Sequence, residues 1–165
     1  MEPYKFDNPT SEAQNEQSSY AQYYLGFAKS YSDAANQLLE NPSDNIFIPT
    51  LYLLVHSLEL YFKTYLIYRG ITEETLIDKF GHNLASCLKE CNKQGLCKYL
   101  VISETQVQQI NNVNRYYQQK ELEYFYAKAK QFGSIEDFKY IVDHTSKAIS
   151  NLITNDIYCA LPESD

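Results

Sequence analysis

The chain has 165 residues, enough for one domain with a real core, and its 44% hydrophobic content is that of an ordinary globular protein. A net charge of −7 opposes unaided binding to a phosphate backbone. No run of about 18 or more apolar residues exists, so no membrane span is expected. The polar start MEPYKFDNPT carries no secretory apolar run, so a cytoplasmic protein with reduced thiols is expected.

Pro3 and Pro9 among polar residues predict a flexible arm over 1–10, followed by one helical-bundle domain over 11–158 and a frayed tail over 159–165. SEAQ at 11–14 fits a capping box that opens a helix running to about Glu40. Tyr20, Tyr24, Phe27, Tyr31, Ala34, Ala35 and Leu38 recur along it at three- and four-residue spacing. NPSDN at 41–45 stops it. A second helix is predicted from about Ile48 to Arg69, with Pro49 in its first turn and Gly70 in the left-handed position beyond its end. Its stripe of Leu51, Val55, Leu58, Phe62 and Tyr65, widened by Leu54, Tyr61 and Tyr68, makes it the most apolar helix and the expected centre of the fold.

TEETLIDKF reads as a short helix capped by Thr72. Gly81 breaks the chain, and a new helix starts near His82 or Asn83, with Leu84, Cys87, Leu88 and Cys91 facing inward and Gly95 ending it. SETQ at 103–106 is another capping box, opening a helix to about Gln119. Residues 120–132 mix strand-like EYFY with helix-friendly AKAKQ and are read as irregular. Ser134 caps a last helix that continues through Phe138, Ile141, Val142, Thr145, Ile149 and Ile153 to about Ile157. The absence of alternating strand patterns, with mostly short connections, predicts an all-α, up-and-down antiparallel bundle of about five helices.

Within HSLELYFKTYLIYRG, at 56–70, His56, Glu59 and Lys63 fall on one helix face. One reading makes them a solvated stripe whose Glu59–Lys63 pair contributes about 0.3–0.5 kcal/mol. The other places them in a groove with His82, whose neutral ring donates to Glu59 and clasps two helices. Arg115, Tyr116 and Tyr117 form a cluster suited to stacking on a base or, preferably, to a dimer contact. His144 reads as a solvent-facing histidine. Cys87, Cys91, Cys97 and Cys159 lack the CxxC spacing of zinc sites, so small apolar thiols are expected and no metal site. No glycine-rich phosphate loop, GxSxG or HExxH is present, and no cofactor is expected.

HSLELYFKTYLIYRG followed by KFGHNLASCLKECNKQGL resembles the HEPN family, the higher-eukaryote and prokaryote nucleotide-binding domains. Small bacterial members carry H-S-x-E-L-x-x-K on one helix and G-H-[ND]-L at the start of the next. The matching residues are His56, Ser57, Glu59, Leu60 and Lys63, then Gly81, His82, Asn83 and Leu84, within a likeness spanning about residues 47 to 96. The resemblance implies a helical bundle, commonly homodimeric. It also implies a nucleotide or RNA ligand near His56, Glu59, Lys63, His82 and Asn83, or a nucleotidyltransferase-type partner protein in a toxin–antitoxin or defence system. Many members are metal-independent ribonucleases with an R-x4–6-H motif, whose His moves a proton while the Arg stabilises phosphate charge. Here the next histidine after Arg69 is His82 and after Arg115 is His144, both too distant, so the motif is absent and no catalytic residue is assigned. The leading expectation is a non-catalytic binding or regulatory module. The alternatives are a divergent ribonuclease using His82 or His144 with Lys63 or Arg115, and a structural protein-interaction domain.

Overall fold

A computed structural model describes residues 11–40, 46–124 and 132–160. The helices are α1 (Ser11–Glu40), α2 (Phe47–Tyr68), α3 (Glu73–Lys79), α4 (Leu84–Lys93), α5 (Glu104–Tyr117) and α6 (Ile135–Ala160), with a 3₁₀ turn over Leu96–Lys98. No strand occurs among the described residues, and the fold is an all-α bundle. The expected arm over 1–10, the stop at 41–45, the middle of the irregular segment (125–131) and residues 161–165 of the tail lie outside the described residues. The last helix runs to Ala160 rather than about Ile157, so the first two residues assigned to a frayed tail are helical.

Side chains that replace missing backbone partners fix the helix starts. Thr72 accepts from the Thr75 N–H and Asn83 from the Ser86 N–H. Ser103 and Gln106 form the reciprocal capping box read from SETQ. The Ser134 hydroxyl accepts from the Glu136 N–H at 3.1 Å. The α2 end is a Schellman turn: Gly70 has φ 94, its N–H reaches the Ile67 carbonyl, and Ile71 N–H reaches Leu66.

Helix α2 is the centre, as its composition predicts, and touches α1, α4, α5 and α6. Leu51, Leu54, Val55, Leu58, Tyr61, Phe62, Tyr65 and Leu66 are all buried along it. Helix α1 runs antiparallel beside it: Tyr24 bonds Glu73 while Ser32 meets Tyr61, so the pairing descends as α1 ascends. The face that α1 turns inward is not the aromatic stripe. It carries Ala21, Ala28 and Ala35, all fully buried and seven residues apart, small enough for the two helices to approach closely. Tyr20 and Phe27 of the stripe lie 47% and 63% exposed, and Tyr23 beside them is 69% exposed. Only Ala35 of the stripe is fully buried; Tyr24, Tyr31, Ala34 and Leu38 lie between.

After α2, α3 returns the chain so that α4 runs beside α2 in the same sense. Glu59 meets His82, the Cys91 thiol donates to the Phe62 carbonyl at 3.4 Å, and the Tyr65 hydroxyl donates to the Gln94 carbonyl at 2.9 Å. Cys87 and Cys91 are buried and reduced, while Cys97 is exposed. Burial pushes the Cys87 thiol up to about 12, and burial with the neighbouring Cys87 raises Cys91 well above the ordinary range.

Candidate functional site

The polar cluster of α2 begins at its middle, with His56, Glu59 and Lys63, and it is largely buried. Glu59 is 1% exposed, which overturns the reading of a solvated stripe. A carboxylate at such a position must be surrounded by donors, since an isolated buried charge costs many kcal/mol. Four side chains, from α2, α5 and the turn before α4, supply those donors. Lys63, one turn on, places its ammonium 2.5 Å from Oε1 and also donates to the Gly81 carbonyl at 2.7 Å. The Tyr117 hydroxyl, at the end of α5, donates a short hydrogen bond to Oε2. His82, in the turn before α4, brings Nδ1 to 3.3 Å from the same oxygen. His56, one turn earlier on α2, brings Nδ1 within 3.6 Å of Oε2 and 2.6 Å of the Tyr117 hydroxyl.

Proton positions follow from this geometry. An ionised carboxylate only accepts, so His82 carries its proton on Nδ1. Tyr117 gives its only proton to Glu59, so the His56 Nδ1–H donates to the Tyr117 oxygen. In their neutral forms both rings therefore keep Nε2 as an acceptor. Burial alone would raise the Glu59 carboxyl. It is outweighed by hydrogen bonding from His56, by the Lys63 charge and hydrogen bond, and by the Tyr117 hydroxyl, which together hold it at about 2. The same buried carboxylate pushes Tyr117 upward, after burial itself, so the phenol stays a donor.

The surrounding rings fix the histidines. Tyr52 stacks on His56 at 5.6 Å with planes 6° apart, and Tyr31 of α1 meets it edge-on at 4.4 Å. His82 contacts Tyr117 edge-on at 6.0 Å, and its side chain is 46% exposed. Of the residues expected to bind a ligand, His56, Glu59, Lys63 and His82 are thus brought together. Asn83 has another duty: its side chain caps α4 and accepts from Asn114 of α5 at 3.1 Å, while the Asn114 oxygen accepts from the Ala85 N–H.

The expected Arg115–Tyr116–Tyr117 surface does not exist as one patch, because consecutive helical residues point about 100° apart. Arg115 is exposed, Tyr116 is half-buried edge-on against Phe132 at 5.3 Å, and Tyr117 is buried on Glu59. His144 is solvent-facing on α6, its Nδ1 donating to the Tyr140 carbonyl at 2.9 Å. Tyr117, Asn114 and Tyr52 were missed as members of the site. A tyrosine ending an apolar stripe signals a buried hydroxyl in need of a partner, but not which partner.

Chemically, the cluster joins α2, the turn before α4 and α5 through one carboxylate. Two of the three Lys63 N–H groups are engaged inside the protein, so the cluster's ammonium is committed to Glu59 and Gly81 rather than offered to an incoming phosphate. Among the described residues no group of three or more His, Cys, Asp and Glu could hold a metal ion. None of the described helices is long and apolar enough to cross a membrane. Compared with family models, curated proteins and solved structures, the chain matches none of them.

Proposed function

We propose that this chain is a non-catalytic, HEPN-like interaction module of the cytoplasm that recognises another protein through the outer face of α1. The Glu59 cluster is its internal latch. The HEPN likeness implies two kinds of partner: a second copy of the chain, giving a homodimer, and a nucleotidyltransferase-type protein of a toxin–antitoxin or defence system. The observation that carries the reading is the exposure of Tyr20, Tyr23 and Phe27 at 47%, 69% and 63%, successive on one side of a helix. Aromatic rings gathered at a surface are enriched where proteins meet. A nucleotide at Glu59 and Lys63 is less favoured, because the ammonium is already paired and the chain's net charge is −7.

Sedimentation velocity across a wide concentration range, alone and with candidate nucleotidyltransferases, tests this. Complex formation should be lost in Tyr23→Ser with Phe27→Ser, and a double variant that associates as well as the parent refutes the reading. The ribonuclease alternative rests on His82, a half-exposed imidazole oriented by a buried carboxylate, as a catalytic base would be. RNA cleavage by the pure protein that disappears in His82→Ala would establish that alternative instead.

A further inference from the structure

Beside the outer face of α1 lies a groove of about 280 Å³ lined by Tyr24, Phe27, Tyr31, His56, Leu60 and Glu73. Three of these rings come from one face of α1, at the spacing 24, 27, 31, and the His56 ring continues them across α2. No lysine or arginine lines it, and the His56 ring is engaged by Tyr117 through Nδ1. Its one ionisable acid, Glu73, stands in the first turn of α3, and its Oε1 accepts from the Tyr24 hydroxyl at 2.8 Å, which leaves the second oxygen to receive a donor. Aromatic faces are electron-rich, and a carboxylate at their edge adds a full negative charge. Such a lining repels anions and attracts an organic cation on an apolar stem.

We infer that this groove binds a basic side chain, an arginine above all, presented by the partner that docks on α1. The inference rests on the protein-recognition reading and names the chemistry the partner must show. A guanidinium fits the lining better than an ammonium, since its plane stacks on tyrosine and phenylalanine while its edge pairs with a carboxylate. The charge of the chain, −7, draws a basic segment toward it. The contribution of Glu73 is to fix the cation's position. Tyr24, held by Glu73, is part of the same lining.

The probe is capped arginine, Nα-acetyl-arginine amide, titrated into the full chain and followed by NMR of the aromatic and imidazole signals. Its neutral isostere, capped citrulline, is the control. Arginine should give saturable shifts at Phe27, Tyr31 and His56, and citrulline none at equal concentration. Glu73→Gln keeps an acceptor for Tyr24 and should weaken arginine about fivefold, the effect of losing one well-placed surface ion pair. Phe27→Leu, an exposed ring whose loss leaves the core intact, should weaken it about threefold through the missing cation–π contact. Equal binding of citrulline, no change in Glu73→Gln, or the same signals shifting more strongly with a nucleoside monophosphate overturns the inference. The titration uses no partner protein. A chain that associates with nothing therefore refutes the recognition reading alone, and an arginine probe that fails to bind refutes the groove alone.

Discussion

The Glu59 cluster and the outer face of α1 reverse the usual division between core and surface in opposite ways. At Glu59 a charge is held at 1% exposure, while on α1 the rings of Tyr23 and Phe27 are left in water. The first inversion is satisfied within the chain: Lys63, Tyr117, His82 and His56 converge on two carboxylate oxygens. Nothing within the described chain covers the second. A misplaced polarity that is internally satisfied speaks of architecture, and one left open speaks of contact with another molecule.

The comparison can be broken most severely at Glu59. Glu59→Ala strands the Lys63 ammonium in the interior and should lower the unfolding free energy in urea by about 3–5 kcal/mol. Replacing both ions by apolar residues, Glu59→Leu with Lys63→Met, should recover much of that loss, as expected for a pair whose attraction mainly offsets its own desolvation. Acid gives the next effect. The folded carboxyl lies at about 2, below its ordinary value near 4.5, so its stabilisation is complete above about pH 4.5 and is lost as pH falls toward 2. The shift corresponds to about 3 kcal/mol, readable as unfolding free energy against pH, and Glu59→Gln should flatten that part of the curve. Tyr117→Phe removes one donor to Glu59 and the acceptor of His56, and should cost about 1–2 kcal/mol in the same urea measurement. Phe27→Ser should sharpen the contrast by changing the stability of dilute protein by under about 0.5 kcal/mol while weakening association in sedimentation.

Much of this frame is legible in the residues. Thr72, Asn83, Ser103 and Ser134 mark helix starts because the first-turn N–H groups need acceptors, and Gly70 and Gly95 mark ends because both adopt left-handed φ values, 94 and 93. The convergence of Glu59 and His82 is legible as one of two readings, since a short connector after α2 limits how far the imidazole can travel. Tyr117 is not, because it stands 58 positions from Glu59 and only the packing of α5 brings it there. The aromatic stripe of α1 misleads for a related reason. Periodicity groups residues on a face without saying what the face meets, and large rings draw attention from the smaller set of Ala21, Ala28 and Ala35. Alanines recurring every seventh residue on a long helix are the signal of close helix approach that identifies the inner face.

The contrast between Cys97, open to solvent, and the pair Cys87 and Cys91, sealed between α2 and α4, provides an intrinsic clock for opening of the molecule. A thiol-alkylating reagent added to native protein should mark Cys97 at once, whereas Cys87 and Cys91 acquire adducts only as fast as α4 lifts from α2. The mass spectrum of such a time course would report the breathing of the latch region without any label, tag or mutation.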